Sequence, residues 1–489
     1  MVYIFFHAGA ETERINQIIE RGSPMTDIQY LELEITRWLV SPQRMDMLTG
    51  ERYYDGRHDI LSRKRTAIGE DGELIEVDNL PNNHIIDNQY AKAVDQKVNY
   101  LLGKPLTFDT ENKQYEDALK KVFGKRFQQT IRQLGEDSLN CGIGWIYPYY
   151  SDSALCFKRF NPWEILPFWA DAEHTILDCA ARIYEVEVYE GRNHKVVQKV
   201  ELFTQQGIRR YILSSGHLIE DSDNPIENYI TVGERAYNWD RVPLIPFKCN
   251  PQETPLIRRV KSLQDSINEM MSDMANNMQE DTGNTVLVVK NYDGMSLGEF
   301  RRNLATYKAV KVSDDGGVSA LKVEVNVQNY KEILSLLKKA LIENARCYDA
   351  KDDRMSSNPN QMNIQSMYSD IDLDANGMET EYQAAFDDLL WFVNAHLANT
   401  GAGSFDGTDV NIIFNRDILI NETESVENCQ KSVGILSDET IVSQHPWTSD
   451  VKKELQRIKK EQQERETEGD GYTDAFREHR NGGEVNEEQ

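Results

Sequence analysis

The spacing of apolar residues along the chain changes period twice. In "SPMTDIQYLELEITRWLVSP" and "IIDNQYAKAVDQKVNYLLGKP" they recur at three- and four-residue steps, and residues 1–140 are expected to be mostly helical. Gly103, just ahead of Pro105, reads as a helix C-cap. From about residue 141 the period shortens. "GIGWIYPYY", "LCFKRFNPWEILPFW", "CAARIYEVEVYE", "KVVQKVELFT" and "IRRYILSS" are short, aromatic and β-branched, with turn residues between them, which predicts a β-rich region over 141–253.

The helical period then returns. In "PLIRRVKSLQDSINEMMSDMANNMQE", Leu256, Val260, Leu263, Ile267, Met270 and Met274 step by 4, 3, 4, 3 and 4, a near-heptad stripe suited to packing on helices nearly in line. A small α/β stretch follows, with strand, helix and strand patterns and a Gly-rich turn expected at 314–317. "NYKEILSLLKKALIENARCYDA" is helical again, with Leu334, Leu337, Leu341, Ala345 and Tyr348 on one side. Beyond a polar stretch, Ile364, Met367, Ile371, Ala375, Met378, Tyr382, Phe386, Leu389, Val393 and Leu397 recur with a mean step near 3.67. That period fits one long, barely supercoiled helix of roughly 50 Å. The strand-like "TDVNIIFN" precedes shorter helices, the last being "SDVKKELQRIKKEQQERE". Residues 467–489 are acidic and without period, so a disordered tail is expected.

Composition narrows the function. A chain of 489 residues exceeds one compact core, so two or more domains are expected. Its 54 basic residues face 81 acidic ones, a net charge of −27. Proteins that grip nucleic acid neutralise phosphates with Lys and Arg, so general DNA binding is disfavoured, whereas repelling a polyanion fits. The six cysteines are scattered without a CxxC pair, as in reduced thiols of a cytosolic protein. "VYIFF" is too short for a signal peptide, and no stretch approaches the roughly 20 apolar residues that span a bilayer, so a soluble, intracellular product is expected.

No motif commits the chain to catalysis. In "DLDANG", Asp372, Asp374, Asn376 and Gly377 match the opening of a calcium loop, but Gln383 stands where a bidentate Glu is needed. The apolar helical period also runs straight through it, so a solvated helix face is the plainer reading, and the sequence leaves cation binding there open. "LLGKP" lacks the first glycine of a phosphate loop, and Pro105 replaces its Ser/Thr. His7, His58, His84 and His445 show no zinc spacing, and no GxSxG elbow is present. Asp352/Asp353 and Asp387/Asp388 are sequence neighbours that would point apart on a helix. No catalytic residue, cofactor site or metal site is therefore assigned.

Three stretches carry a family resemblance: "EITRWLVSPQRMDMLTGERYYDGRHDIL", "YNWDRVPLIPFKCNPQ" and "INETESVENCQKSVGILSDETIVSQHPW". Together with the order of elements over about residues 20–460, the chain resembles phage portal proteins of long-tailed phages and prophages of Gram-positive bacteria. The resemblance implies an α+β portal fold. Residues 1–253 would be the wing, 254–283 and 327–350 the two stem helices, and 284–326 the α/β clip. Residues 351–363 would be the tunnel loop, 364–400 the long wing helix and 401–466 the helical crown. It also implies a homo-oligomeric ring of about a dozen subunits at one capsid vertex of the virion, assembled in the host cytoplasm. Double-stranded DNA would pass through the ring. Its partners would be the terminase large subunit, head-completion or adaptor proteins, and capsid and scaffolding proteins, with no membrane involved. Two readings from other classes stay open: a metal-dependent, nuclease-like enzyme using the acidic clusters, and a static structural adaptor ring.

On the portal reading, "KDDRMSSNPNQMN" is the loop that lines the narrowest part of the channel. Lys351 and Arg354 are offset by Asp352 and Asp353, and Met355, Ser356, Ser357, Asn358, Asn360 and Gln361 make a polar tip around Pro359. Such a loop offers moving DNA no net positive charge. Glu269, Asp273, Glu280 and Asp281 on the first stem helix could extend an acidic lumen wall, or simply keep the assembly soluble. Leu256, Val260, Leu263, Ile267, Met270 and Met274 would be the stem packing stripe.

Overall fold

Local signals in the sequence set the first helices. The Thr26 side chain accepts from the Gln29 amide while Gln29 reaches back to the Thr26 amide, a capping box that starts α1 (Asp27–Leu39). Ser41 caps α2 (Pro42–Tyr54), with Pro42 at its first position, so the proline that ends one helix also begins the next. The expected helical character then lapses over residues 55–88. A short hairpin of β1 (Thr66–Ile68) and β2 (Leu74–Glu76) is followed by an extended strap leading to α3 (Gln89–Leu102), which Gly103 caps. β3 (Thr107–Asp109), α4 (Lys113–Val122) and α5 (Lys125–Cys141) complete this part. The computed structural model describes residues 26–464 apart from 69–71, 78–79, 152–153, 191–192, 223, 281–284, 293–295, 297, 300–301, 303–305, 307–311, 323–326, 350–360, 417–421 and 449–450.

The β-rich region is antiparallel throughout. β4 (Ile143–Ser151) sits between β5 (Ala154–Phe160) and β14 (Ile245–Lys248). A larger meander runs β6 (Ile165–Trp169), β7 (Leu177–Glu190), β8 (Asn193–Thr204), β9 (Gly207–Ser214) and β10 (His217–Glu220), with β11 (Ile226–Glu227) on β9. β12 (Ile230–Val232) and β13 (Arg235–Tyr237) pair separately. Gly142 turns α5 into β4 at φ 88°, and a Cβ there would lie 2.0 Å from the Glu253 carbonyl, so only glycine fits.

The long helices follow. α6 (Ile257–Glu280) and α7 (Val327–Ala345) run antiparallel, linked by β15 (Thr285–Tyr292) and β16 (Val312–Lys322). The turn expected at 314–317 lies within β16, where Asp315 adopts φ 59°. α7 stops at Ala345 rather than 350, and α8 (Gln361–Asn399) begins three residues before 364. From Ile371 to Leu397 every position of the expected α8 stripe is buried. Phe247 of β14 packs edge-on against Tyr382 and Phe386 of α8, at 5.0 and 5.4 Å between ring centres. Ser138 of α5 bonds both the Phe247 carbonyl and the Tyr382 hydroxyl, at 2.9 Å each. The aromatic core thus joins sheet, α5 and α8. β17 (Asn411–Ile413) pairs with β3 across about 300 residues of sequence.

Two compact units emerge, residues 1–348 with 370–417 and residues 349–369 with 418–489. The second contains α9 (Glu422–Lys431), α10 (Asp438–Gln444, capped by Ser437) and a helical stretch at 451–464. Between α9 and α10, Val433, Ile435 and Leu436 are exposed, as is Trp447 beyond them.

Candidate functional site at the helix pair and the root of the 351–363 loop

Helix α6 has a second face that the apolar stripe does not reveal. Gln264, Asn268, Ser272 and Asn276 recur every four residues, and each is at most 1% exposed. They grip the extended strap of residues 83–87 and the first turn of α3. Asn276 Oδ1 accepts from the Asn83 amide (2.8 Å), Ser272 Oγ from Ile85 (3.0 Å), Asn268 Oδ1 from Asp87 (3.1 Å) and Gln264 Oε1 from Tyr90 (2.9 Å). Two residues of extended chain advance about 6.6 Å and one four-residue helical step about 6.0 Å, so the two repeats stay in register over three rungs. Side chains of a helix here replace the partner strand that backbone amides at 83, 85 and 87 would otherwise need.

The ladder is closed at one side by His58. Asn268 Nδ2 meets His58 Nδ1 at 2.7 Å, and His58 Nε2 meets the Tyr53 carbonyl at 2.9 Å. Asn268 Oδ1 already accepts from Asp87 and from Gln264 Nε2 (3.0 Å), so its amide nitrogen donates to Nδ1 and the imidazole carries its proton on Nε2. Burial pushes the His58 pKa below its ordinary value, outweighing the Tyr53 carbonyl's opposite pull, and favours this neutral form.

The other end of the pair holds the loop's exit. Arg346 leaves α7 at φ 52°, a left-handed stop made without glycine or asparagine. α3 then pins the departing backbone: Lys97 Nζ bonds the Arg346 carbonyl (3.3 Å) and Gln96 Nε2 the Tyr348 carbonyl (3.2 Å). Cys347, buried, points its thiol at the Ala93 carbonyl (3.7 Å). Lys97 also pairs with Asp374 Oδ2 at 2.6 Å, while Arg259 of α6 and Arg346 both reach Asp374 Oδ1 at 3.2 Å. Burial alone would raise the Asp374 carboxyl, but Lys97 and Arg259 hold it below the usual carboxylate range. Two residues earlier, Asp372 takes the Tyr100 hydroxyl (2.5 Å) and Arg416 (2.6 Å), and Arg416 also pairs with Glu379 (2.6 Å). The "DLDANG" carboxylates therefore sit on a continuous helix and face cations of their own chain. Among the described residues no group of three or more His, Cys, Asp or Glu is arranged to hold a metal ion.

The other singled-out residues fall as follows. Lys351, Asp352, Asp353, Arg354, Met355, Ser356, Ser357, Asn358 and Asn360 lie outside the described residues, as does Asp281, while Gln361 opens α8. Glu269 is exposed on α6; Asp273, on the same face, pairs with Arg63 at 2.9 Å and Arg65 at 3.9 Å, so its charge is met within the chain. Glu280 is the last residue of α6. Of the packing stripe, Leu256, Val260 and Ile267 are buried, whereas Leu263, Met270 and Met274 are half-buried. The ladder went unread because polar residues every four positions look like an ordinary solvated face. The signal that could have exposed it was their uniformly uncharged character within a helix whose other polar face is charged.

The profile of the family described as "Phage portal protein, SPP1 Gp6-like" matches residues 41–468. The portal protein of Bacillus phage SPP1 is 28% identical over 458 residues, covering 92% of this chain and 90% of that protein. The portal protein of Clostridium phage phiCD119 is 26% identical over 445 residues, covering 86% and 94% respectively.

Proposed function

The chain belongs to the SPP1 Gp6-like phage portal family, and on that premise we propose that it assembles into a ring of about a dozen subunits at a single capsid vertex, with DNA entering and leaving through the bore. The observation that carries this reading is the family match over residues 41–468, which spans the antiparallel helix pair, the loop and the long helix together. α6 and α7 are the stem, residues 284–326 the clip, and α8 the wing helix. The protein contributes no chemistry. A terminase supplies ATP-driven force at the clip, and head-completion proteins later occupy the same surface.

The loop over 351–363 meets the DNA, and its exit geometry is what the Lys97–Asp374–Arg346 cluster fixes. The excess of acidic residues, 81 against 54, supports a bore that repels rather than binds the duplex. With screening over about 8–10 Å in cell-like salt, such repulsion acts only near the wall and centres the DNA. On this reading Glu269 belongs to the wall and Asp273 does not, because arginines of its own chain neutralise it.

Negative-stain electron microscopy of the purified full chain tests the assembly: rings with a central hole are expected, and a monodisperse monomer at high concentration overturns the proposal. Deletion of residues 356–360 tests the conduit. Rings should still form while packaging fails, whereas full packaging by the deleted chain would favour a static adaptor.

A further inference from the structure

Among the described residues, nothing buries the apolar side chains of the β1–β2 hairpin. Ile68 is 78% exposed, Leu74 73% and Ile75 50%, and among the described residues the two strands pair only with each other. An isolated two-stranded hairpin is marginally stable in water, so such an arm implies a partner surface. Helix α7 offers one. Ile333 is 45% and Leu336 67% exposed, one turn apart on the same face, with Ala340 half-exposed a turn further on.

Two contacts place these features at one height. Arg63, at the root of the hairpin, pairs with Asp273 of α6. Asn277 of α6 bonds the Tyr330 hydroxyl of α7 at 3.0 Å, so in the antiparallel pair Asp273, one turn back, is level with Leu334, one turn on. The root is thus level with Ile333 and Leu336. They lie, however, on different sides. The strap that continues from the hairpin meets α7 through Asp87 and Lys338 at 2.6 Å, and Ile333 and Leu336 sit about half a turn round the helix from Lys338. One flank of the helix pair carries the arm and the opposite flank carries the bare apolar face. That is the arrangement of a head-to-tail contact, which closes into a ring when repeated about an axis.

We propose that the β1–β2 hairpin of one subunit docks on the Ile333–Leu336 face of α7 in the next copy of this chain, clasping neighbouring helix pairs at a common level. This rests on the ring reading above and specifies its contact. Chain L74C/L336C, mildly oxidised and run without reductant, should give a ladder of covalent multimers that collapses on reduction, while L74C and L336C alone give none. Rings visible by microscopy without that ladder overturn the clasp and leave the ring reading intact; absence of rings in the unmodified chain overturns both. As a second readout that needs no cross-link, I68D/L74D should retain the far-ultraviolet circular dichroism of the parent chain and lose ring particles. Unimpaired rings in that variant would also overturn the clasp.

Discussion

Helices α6 and α7 lie side by side and are built for opposite tasks. α6 buries polar residues completely, with Gln264, Asn268, Ser272 and Asn276 all satisfied by its own chain. α7 leaves leucine and isoleucine in solvent along its middle, and only Leu341 and Ala345 at its C-terminal end are buried. The near-heptad apolar stripe read alone would mark α6, not α7, as the sticky helix. The difference teaches that a buried polar face tied rung by rung to a strap is an internal fastening, whereas a bare apolar face beside it is provision for another molecule.

The largest expected effect comes from breaking the fastening. Asn268→Leu removes the acceptor for the amide of half-buried Asp87 and the donor to buried His58. A buried polar group stripped of its partner costs roughly 1–3 kcal/mol, so a loss of about 3 kcal/mol is expected for the pair. Denaturant unfolding of dilute chain would register it. A loss under 0.5 kcal/mol would mean that water serves the strap as well as the helix does.

How much of this was legible beforehand follows from how local each signal is. The long helices were readable because period is a local property, and α8 buries its stripe from Ile371 to Leu397. The β-rich region announced itself through β-branched and aromatic runs. The strap and hairpin were not readable: residues 66–88 have no sustained period, and the strap's partner, α6, lies nearly 200 residues away in sequence. The end of α7 was placed five residues late because Arg346 takes its left-handed turn without glycine or asparagine, held by Lys97 from α3. For the loop, the sequence showed composition and position; the clamp at its root needed the meeting of α3, α6 and α8, which no local pattern encodes.

A gentler probe of the same fastening is pH. Burial depresses the His58 pKa relative to the unfolded chain, so the folded protein binds fewer protons there. Stability from this group is therefore full above the unfolded value of about 6.5 and is lost as pH falls through the lower folded value. Acidification from pH 7.5 to 5.5 should therefore lower stability by this route, read as a falling denaturation midpoint. His58→Gln, whose amide can donate to Tyr53 without titrating, should flatten the dependence over that interval. An unchanged slope would assign it to other groups.

The smallest effect on the isolated chain is the most discriminating. Leu336→Asp replaces a side chain already 67% exposed, so it should change the stability of dilute chain by less than about 0.5 kcal/mol. If α7 only flanks α6, the substitution should be silent in every assay. If its bare face receives a neighbouring subunit, the new carboxylate must be desolvated against apolar atoms without a counter-charge, at a cost that recurs at every interface of the ring. Light scattering should then find monomer where the parent chain forms rings, with unfolding curves superimposed. Loss of rings together with a large loss of stability would place α7 with α6 as an internal element and erase the contrast between them.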